Sequence, residues 1–231
     1  MNICVTGGAG FIGSHLVDRL IELGHDVLVI DNLSTGMRSF VHEDAQFIEM
    51  DVRDPKLLSV FEEFKPSIVF HEAAQTMVQS SMENPSYDCD VNLIGLINVL
   101  DACRKVNVEQ FLMPSSAAVY GDLAVLPLTE ELSGMPSSFY GLTKLTAEGY
   151  LRIYHEAFGL NTVCFRYANV YGPRQGDGGE GGVISIFNRL IVEGQPLTVF
   201  GDGEQTRDFI YVDDVVDANI KAMGNGQCTG I

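Results

Sequence analysis

The stretch Thr6-Gly7-Gly8-Ala9-Gly10-Phe11-Ile12-Gly13-Ser14-His15 decides how this chain folds. Upstream of it, Met1 to Thr6 is a short apolar run suited to a buried parallel strand. Downstream, apolar residues recur at helical spacing through Ile12, Leu16, Leu20 and Leu23. A strand therefore turns directly into a helix. Glycines at 7, 8, 10 and 13 let the turn tighten, let the backbone approach a pyrophosphate and let helix pack on strand. The unpaired N–H groups at the helix start offer themselves to the anion. The stretch reads as a dinucleotide cradle.

Working outward, Asp26 to Ile30 is a second buried strand, and Asp31 follows it, roughly 20 residues beyond the last glycine as the fingerprint requires. An acid there binds a ribose 2′-hydroxyl and repels the 2′-phosphate of NADP. The nearest cation, Arg38, lies farther along a loop, so the pattern favours NAD. The alternative for Asp31 is an ordinary loop-capping acid.

Composition narrows the class. The chain has 231 residues, 46% of them hydrophobic, enough for one large core with a small annex, and it is neither disordered nor fibrous. No apolar run approaches the roughly 20 residues that span a bilayer, and the N-terminal strand lacks the features of a signal peptide, so a cytoplasmic protein is expected. The five cysteines (4, 89, 103, 164 and 228) are widely spaced and form no Cys-x-x-Cys pair, and the histidines are scattered. They read as reduced thiols, and no metal site is expected. With 31 acidic against 14 basic residues the formal charge is −17, which argues against nucleic-acid or anionic-lipid partners. Any phosphate must be met by helix N-termini and a few arginines.

Beyond Asp31, strands and helices alternate. Strands are predicted at 46–50, 67–70, 109–114 and 161–167, and helices at 55–64, 84–106 and 140–158, which gives βαβ units and a parallel sheet. Asp31, Asp51, His71 to Gln75, Ser115-Ser116 and Arg166 to Asn169 fall at the strand ends where ligands bind in such sheets. The glycine-dense stretch 172–182 reads as a mobile loop that begins an annex. Past it, 183–193 and 213–223 are predicted helical and 197–200 a strand. The expected division is a dinucleotide-binding domain over 1–170, with 205–224 packing back on it, and a partial annex over 171–231.

Tyr140 and Lys144 stand one helical turn apart, so both side chains project from one face. An isolated pair of this kind is most often a surface feature. Here it lies downstream of a nucleotide fingerprint and of Ser115-Ser116, and an ammonium beside a tyrosine, together with a cationic nicotinamide, favours the phenolate.

At this point the chain resembles the extended short-chain dehydrogenases/reductases, the NAD-dependent epimerases and dehydratases of nucleotide sugars. The resemblance is carried by TGGAGFIGSH at 6–15, DNLSTG at 31–36, HEAAQ at 71–75, Asn92, SSAAVYG at 115–121, YGLTK at 140–144, RYANVYGPRQ at 166–175 and GDGEQTRDFIYVDD at 201–214. It implies an α/β fold, a Rossmann-type doubly wound parallel sheet with a small, truncated C-terminal substrate-binding region. It also implies a bound NAD that is regenerated in every turnover, a nucleotide-sugar substrate of the UDP-hexose kind, and a homodimer formed through helices 84–106 and 140–158.

The resemblance implies Ser116, Tyr140 and Lys144 as the catalytic group of a 4-epimerase, working through a transient 4-keto sugar and enzyme-bound NADH. Around the cofactor it implies Gly7, Gly10, Phe11, Ile12 and Gly13 at the pyrophosphate, and Asp31, Asn32, Ser34, Thr35 and Gly36 at the adenosine ribose. It further implies Asp51 and Val52 beside adenine, and Ala73, Ala74, Asn92, Ser115, Tyr140, Lys144 and Tyr167 toward the nicotinamide. Ser116, Tyr140, Asn169, Val183 and Arg207 would meet substrate; for Arg207 an ion pair with Asp208 or Asp213 is the alternative.

Two alanines separate the members of this family. Dehydratases that resemble the chain carry an Asp-Glu pair after the serine, because steps at C5 and C6 need further acid–base groups. This chain has Ala117 and Ala118. Alanine moves no proton, so epimerisation ranks above dehydration or another net oxidoreduction, and both rank above a non-catalytic NAD-binding role. Two departures stand out: Phe139 precedes Tyr140 where the family has proline, and family members run on well beyond Ile231.

Overall fold

The structure is a computed structural model that describes residues 1–176 and 182–231. Its centre is a six-stranded parallel sheet, built from β1 (Asn2–Thr6), β2 (Asp26–Asp31), β3 (Gln46–Glu49), β4 (Ile68–His71), β5 (Gln110–Ser116) and β6 (Asn161–Tyr167). The spatial order β3-β2-β1-β4-β5-β6 reverses direction next to β1. That reversal is the topological switch point at which open α/β sheets bind dinucleotides.

Each face of the sheet is covered because the strands are apolar on both sides. On one face α2 (Leu57–Phe64), α5 (Leu96–Val106) and α6 (Phe139–Phe158) bury Phe61, Leu96, Leu100 and Leu151 against Cys4, Val69 and Phe111. On the other, α1 (Phe11–Glu22) and α8 (Val212–Ala222) bury Leu16, Leu20 and Val216 against Ile3, Val5 and Phe70. Burying one such side chain contributes about 1.5–3 kcal/mol. Arg19 of α1 and Asp217 of α8 also pair at 2.8 Å. The C-terminal helix thus belongs physically to the core under β1.

The helix predicted over 84–106 forms with an interruption. α3 (Val78–Glu83) precedes it, then α4 (Pro85–Cys89) runs through a π-helical turn at Asp90–Gly95 into α5. Asn84 caps α4 by accepting the Tyr87 N–H at 3.1 Å, with Pro85 at the first helical position. The strand predicted at 197–200 is absent. Leu197, Val199 and Phe200 are exposed, and no described strand runs beside them to complete a ladder. Instead β7 (Asn169–Tyr171) pairs with β8 (Phe209–Tyr211) in a small parallel sheet, and α7 (Val183–Val192) follows the glycine-rich stretch. Of that stretch, read above as a mobile loop, residues 177–181 lie outside the described residues.

Candidate active site

Between the C-terminal ends of β1, β2, β4, β5 and β6 lies a cavity of about 390 Å³. Its floor is the glycine turn. Gly7 adopts φ +74°, and a Cβ there would stand 2.5 Å from the Ala73 nitrogen; one on Gly13 would stand 2.3 Å from the Gly7 carbonyl oxygen. Only glycine permits this approach of helix, turn and β4 loop. Gly7, Gly10, Phe11, Ile12 and Gly13 all line the cavity, with the start of α1 directed at it.

Asp31, Asn32, Ser34 and Thr35 line one end together with Val52. Asp31 does cap its loop: one carboxylate oxygen accepts the Ala9 N–H at 3.0 Å and the other the Leu33 N–H at 2.8 Å. Each oxygen keeps a second lone pair, so capping and ribose binding are compatible. Gly36 stands back from the cavity, packed on Ala9. Asp51 stands back too; its carboxylate takes hydrogen bonds from Arg53 at 2.7 and 2.8 Å and from Asn32 at 2.8 Å. Arg53 foremost holds that carboxyl well below the usual range. Asp51 therefore shapes this end of the cavity by fixing Asn32.

The other end gathers Ser116, Tyr140, Lys144 and Tyr167 with Ala73 and Ala74. Ser116 and Tyr167 are paired neighbours at the ends of β5 and β6. Lys144 is 5% exposed, its Nζ donating to the Pro114 carbonyl at 2.9 Å and lying 5.9 Å from the Tyr140 ring centre. The Tyr167 hydroxyl accepts the Asn219 amide at 2.6 Å, and burial raises its pKa well above the ordinary phenol value. Ser115 lines the wall, but its hydroxyl turns away, donating to Glu148 at 2.5 Å; Glu148 in turn pairs with Arg166 at 2.8 Å.

Asn92, expected at the cofactor, does not line the cavity. Its side-chain oxygen accepts the Gln75 N–H at 2.9 Å and its amide donates to the Gln75 carbonyl at 3.0 Å. The π-helical turn places it there, tying the 72–77 wall to α6 through Asp88 and Thr143. A second cavity of about 220 Å³ adjoins the first, sharing Asn169, Val170, Gln175 and Gly182, and it brings Val183 to Arg207. Arg207 is exposed, donates to the Thr206 carbonyl at 2.7 Å, and makes no ion pair among the described residues. Glu72 stands within the HEAAQ run at 71–75, whereas no local pattern in the sequence marks Ser81 or Asp88.

Comparison with known proteins follows this geometry. Residues 3–230 match the profile of the NAD dependent epimerase/dehydratase family. The chain belongs to that family. UDP-glucose 4-epimerase from Thermotoga maritima, solved with UDP-glucose, superposes with a TM-score of 0.95 at 44% identity, over 98% of this chain and 74% of that one. The Thermus thermophilus UDP-glucose 4-epimerase, solved with NAD, gives 0.92 at 42% identity over 97% and 75%. UDP-N-acetylglucosamine 4-epimerase from Methanobrevibacter ruminantium, in complex with UDP-N-acetylmuramic acid, gives 0.91 at 39% identity over 95% and 71%. The cavity of the present chain combines a glycine turn, Asp31 and a Ser116/Tyr140/Lys144 end on a Rossmann-type sheet.

Proposed function

We propose that the chain is a nucleotide-sugar 4-epimerase that interconverts UDP-glucose and UDP-galactose. The observation that carries this reading is the meeting of Ser116, Tyr140 and Lys144 at one end of a dinucleotide-shaped cavity, followed at 117 and 118 by alanines alone. Bound NAD supplies a reversible hydride acceptor for C4 of the sugar. Tyr140 would take the proton of the 4-hydroxyl through its phenolic oxygen, Ser116 would hydrogen-bond the same oxygen, and Lys144 would hold the nicotinamide ribose. The 4-keto sugar then turns its other face to the site and regains hydrogen there. With no acid or base at 117 or 118, chemistry at C5 and C6 has no proton carrier on that turn.

Gly7 to Gly13 would hold the pyrophosphate, Asp31 and Asn32 the adenosine ribose, and Val52 the adenine. Asn169, Val183 and Arg207 would meet the nucleotide diphosphate of the substrate, which makes residues 171–231 part of a substrate-binding region. Exposed Tyr87, Ile94, Leu142 and Ile153 on the α4–α5 and α6 surfaces support a homodimer through these helices. No described helix is long and apolar enough to cross a membrane, and we take the cytoplasm as the compartment. Incubation with UDP-galactose tests the reading. UDP-glucose should form, and Tyr140→Phe should lower the rate by roughly 100-fold or more; a keto-deoxy product, or unchanged turnover in that variant, overturns it.

A further inference from the structure

The cavity contains an imbalance that the reaction does not use. Among the described residues lining it, Asp31 and Glu72 are the carboxylates and Lys144 is the only cation. Asp31 sits at the adenosine end, held by two backbone amides. Glu72 follows β4, which lies in the sheet between β1, bearing the glycine turn, and β5, bearing Ser116. Its backbone is fixed: the N–H donates to the Thr6 carbonyl at 2.9 Å, and the peptide packs on Gly7. Its carboxyl oxygen Oε1 is buried and has no hydrogen-bond partner.

A half-buried carboxyl whose one enclosed oxygen has no partner is costly unless something supplies compensating charge or a donor. The charged and titratable neighbours that act on it are Lys144 from α6 and Tyr167 from β6, while α8 contributes the neutral amide of Asn219 to the Tyr167 hydroxyl. Burial pushes the Glu72 carboxyl up to about 7, against the pull of Lys144. Lys144 and Tyr167 mark the nicotinamide end. A nicotinamide ring is cationic when oxidised and neutral when reduced, so an ammonium beside it favours the reduced form and a carboxylate favours the oxidised form.

We infer that Glu72 is the counter-charge to the oxidised nicotinamide, offsetting Lys144 so that the bound cofactor can give back the hydride it accepts. This rests on the NAD reading of the cavity and not on which sugar is used, so failure in the UDP-galactose assay and failure here are distinguishable. At an effective dielectric of about 20, one charge several ångströms from the ring is worth on the order of a hundredfold in relative affinity, which solvent screening of a half-buried group brings down toward roughly tenfold.

The test equilibrates purified holoenzyme at pH 8.5 against a series of free NADH/NAD ratios, then reads the reduced fraction of bound cofactor at 340 nm. Glu72→Gln should be half-reduced at a ratio about tenfold lower than the wild type, equivalent to about 30 mV for a two-electron couple. Glu72→Leu, which has neither charge nor polar end, should show the same displacement and keeps the test decisive if the glutamine variant folds poorly. An unchanged midpoint overturns the inference. So does an equal gain of affinity for both cofactor forms, which would mean that Glu72 acts on the pyrophosphate, and so does a displacement in the glutamine variant alone.

Discussion

The Ser81 hydroxyl accepts the backbone N–H of Tyr140 at 3.1 Å. Tyr140 is in the first turn of α6, where N–H groups have no partner within the helix. Ser138 supplies the ordinary cap by accepting the Gly141 N–H, and Ser81, fully buried on α3, answers the remaining group beside the tyrosine. The backbone of Tyr140 is thus anchored from a neighbouring helix.

Ser81→Ala should therefore leave that N–H unanswered, at about 1–3 kcal/mol. The expected outcome is a melting temperature lower by several degrees, with kcat reduced and the KM for UDP-sugar little changed. Thermal unfolding followed by steady-state kinetics checks both parts; an unaltered kcat would mean that the clamp does not position the tyrosine.

Asp88 joins the cavity wall to α6. Its carboxylate accepts from Thr143 at 2.9 Å, from Gln75 at 2.7 Å and from Asn92 at 3.3 Å, and it is fully buried. Replacement by alanine removes an acceptor shared by three donors; Thr143 keeps the Tyr140 carbonyl at 2.9 Å, while the Gln75 and Asn92 amides each lose one of their partners, so Asp88→Ala should destabilise by roughly 2 kcal/mol or more. Asp88→Asn, which keeps the shape, should cost less. Urea unfolding of the two variants gives the comparison, and equal midpoints would contradict the role of the retained acceptor oxygen and shape.

Asp31 caps its loop and lines the cavity at the end where we place the adenosine ribose, so Asp31→Ala should weaken NAD binding by roughly 10- to 100-fold. Removal of the negative charge should also narrow the preference for NAD over NADP. Equilibrium binding of both cofactors measures this, and a preserved preference would assign Asp31 to capping alone.

His71 makes the fold acid-sensitive. It is buried with Nδ1 2.8 Å from the Thr6 hydroxyl, and burial, followed by the charge of Lys144, lowers its pKa to about 3. The unfolded chain binds this proton near 6.5 and the folded chain only near 3. The stabilisation from a neutral His71 is therefore complete above about pH 6.5 and is lost progressively as pH falls toward 3, by at most about 5 kcal/mol. His71→Gln should flatten the stability–pH curve across that window, as read by denaturant unfolding at a series of pH values.

The sequence by itself determined the elements whose physics is local or periodic. A glycine turn between an apolar strand and an amphipathic helix, an acid at the end of the next strand, and Tyr140 and Lys144 one helical turn apart follow from chain geometry alone. Six strands and their flanking helices were legible for the same reason. The tertiary structure decided everything that depends on a distant partner. Leu197 to Phe200 carry a strand pattern but have no neighbouring strand edge among the described residues, so no ladder forms. Asn92 stands in a motif, yet the π-helical turn and the approach of Gln75 make it a tie within the wall. Ser81, Asp88 and Glu72 look unexceptional in one dimension; their roles arise because α3, α4 and the end of β4 meet α6 around one cavity, where burial makes each hydrogen bond or charge count for more than it does in water.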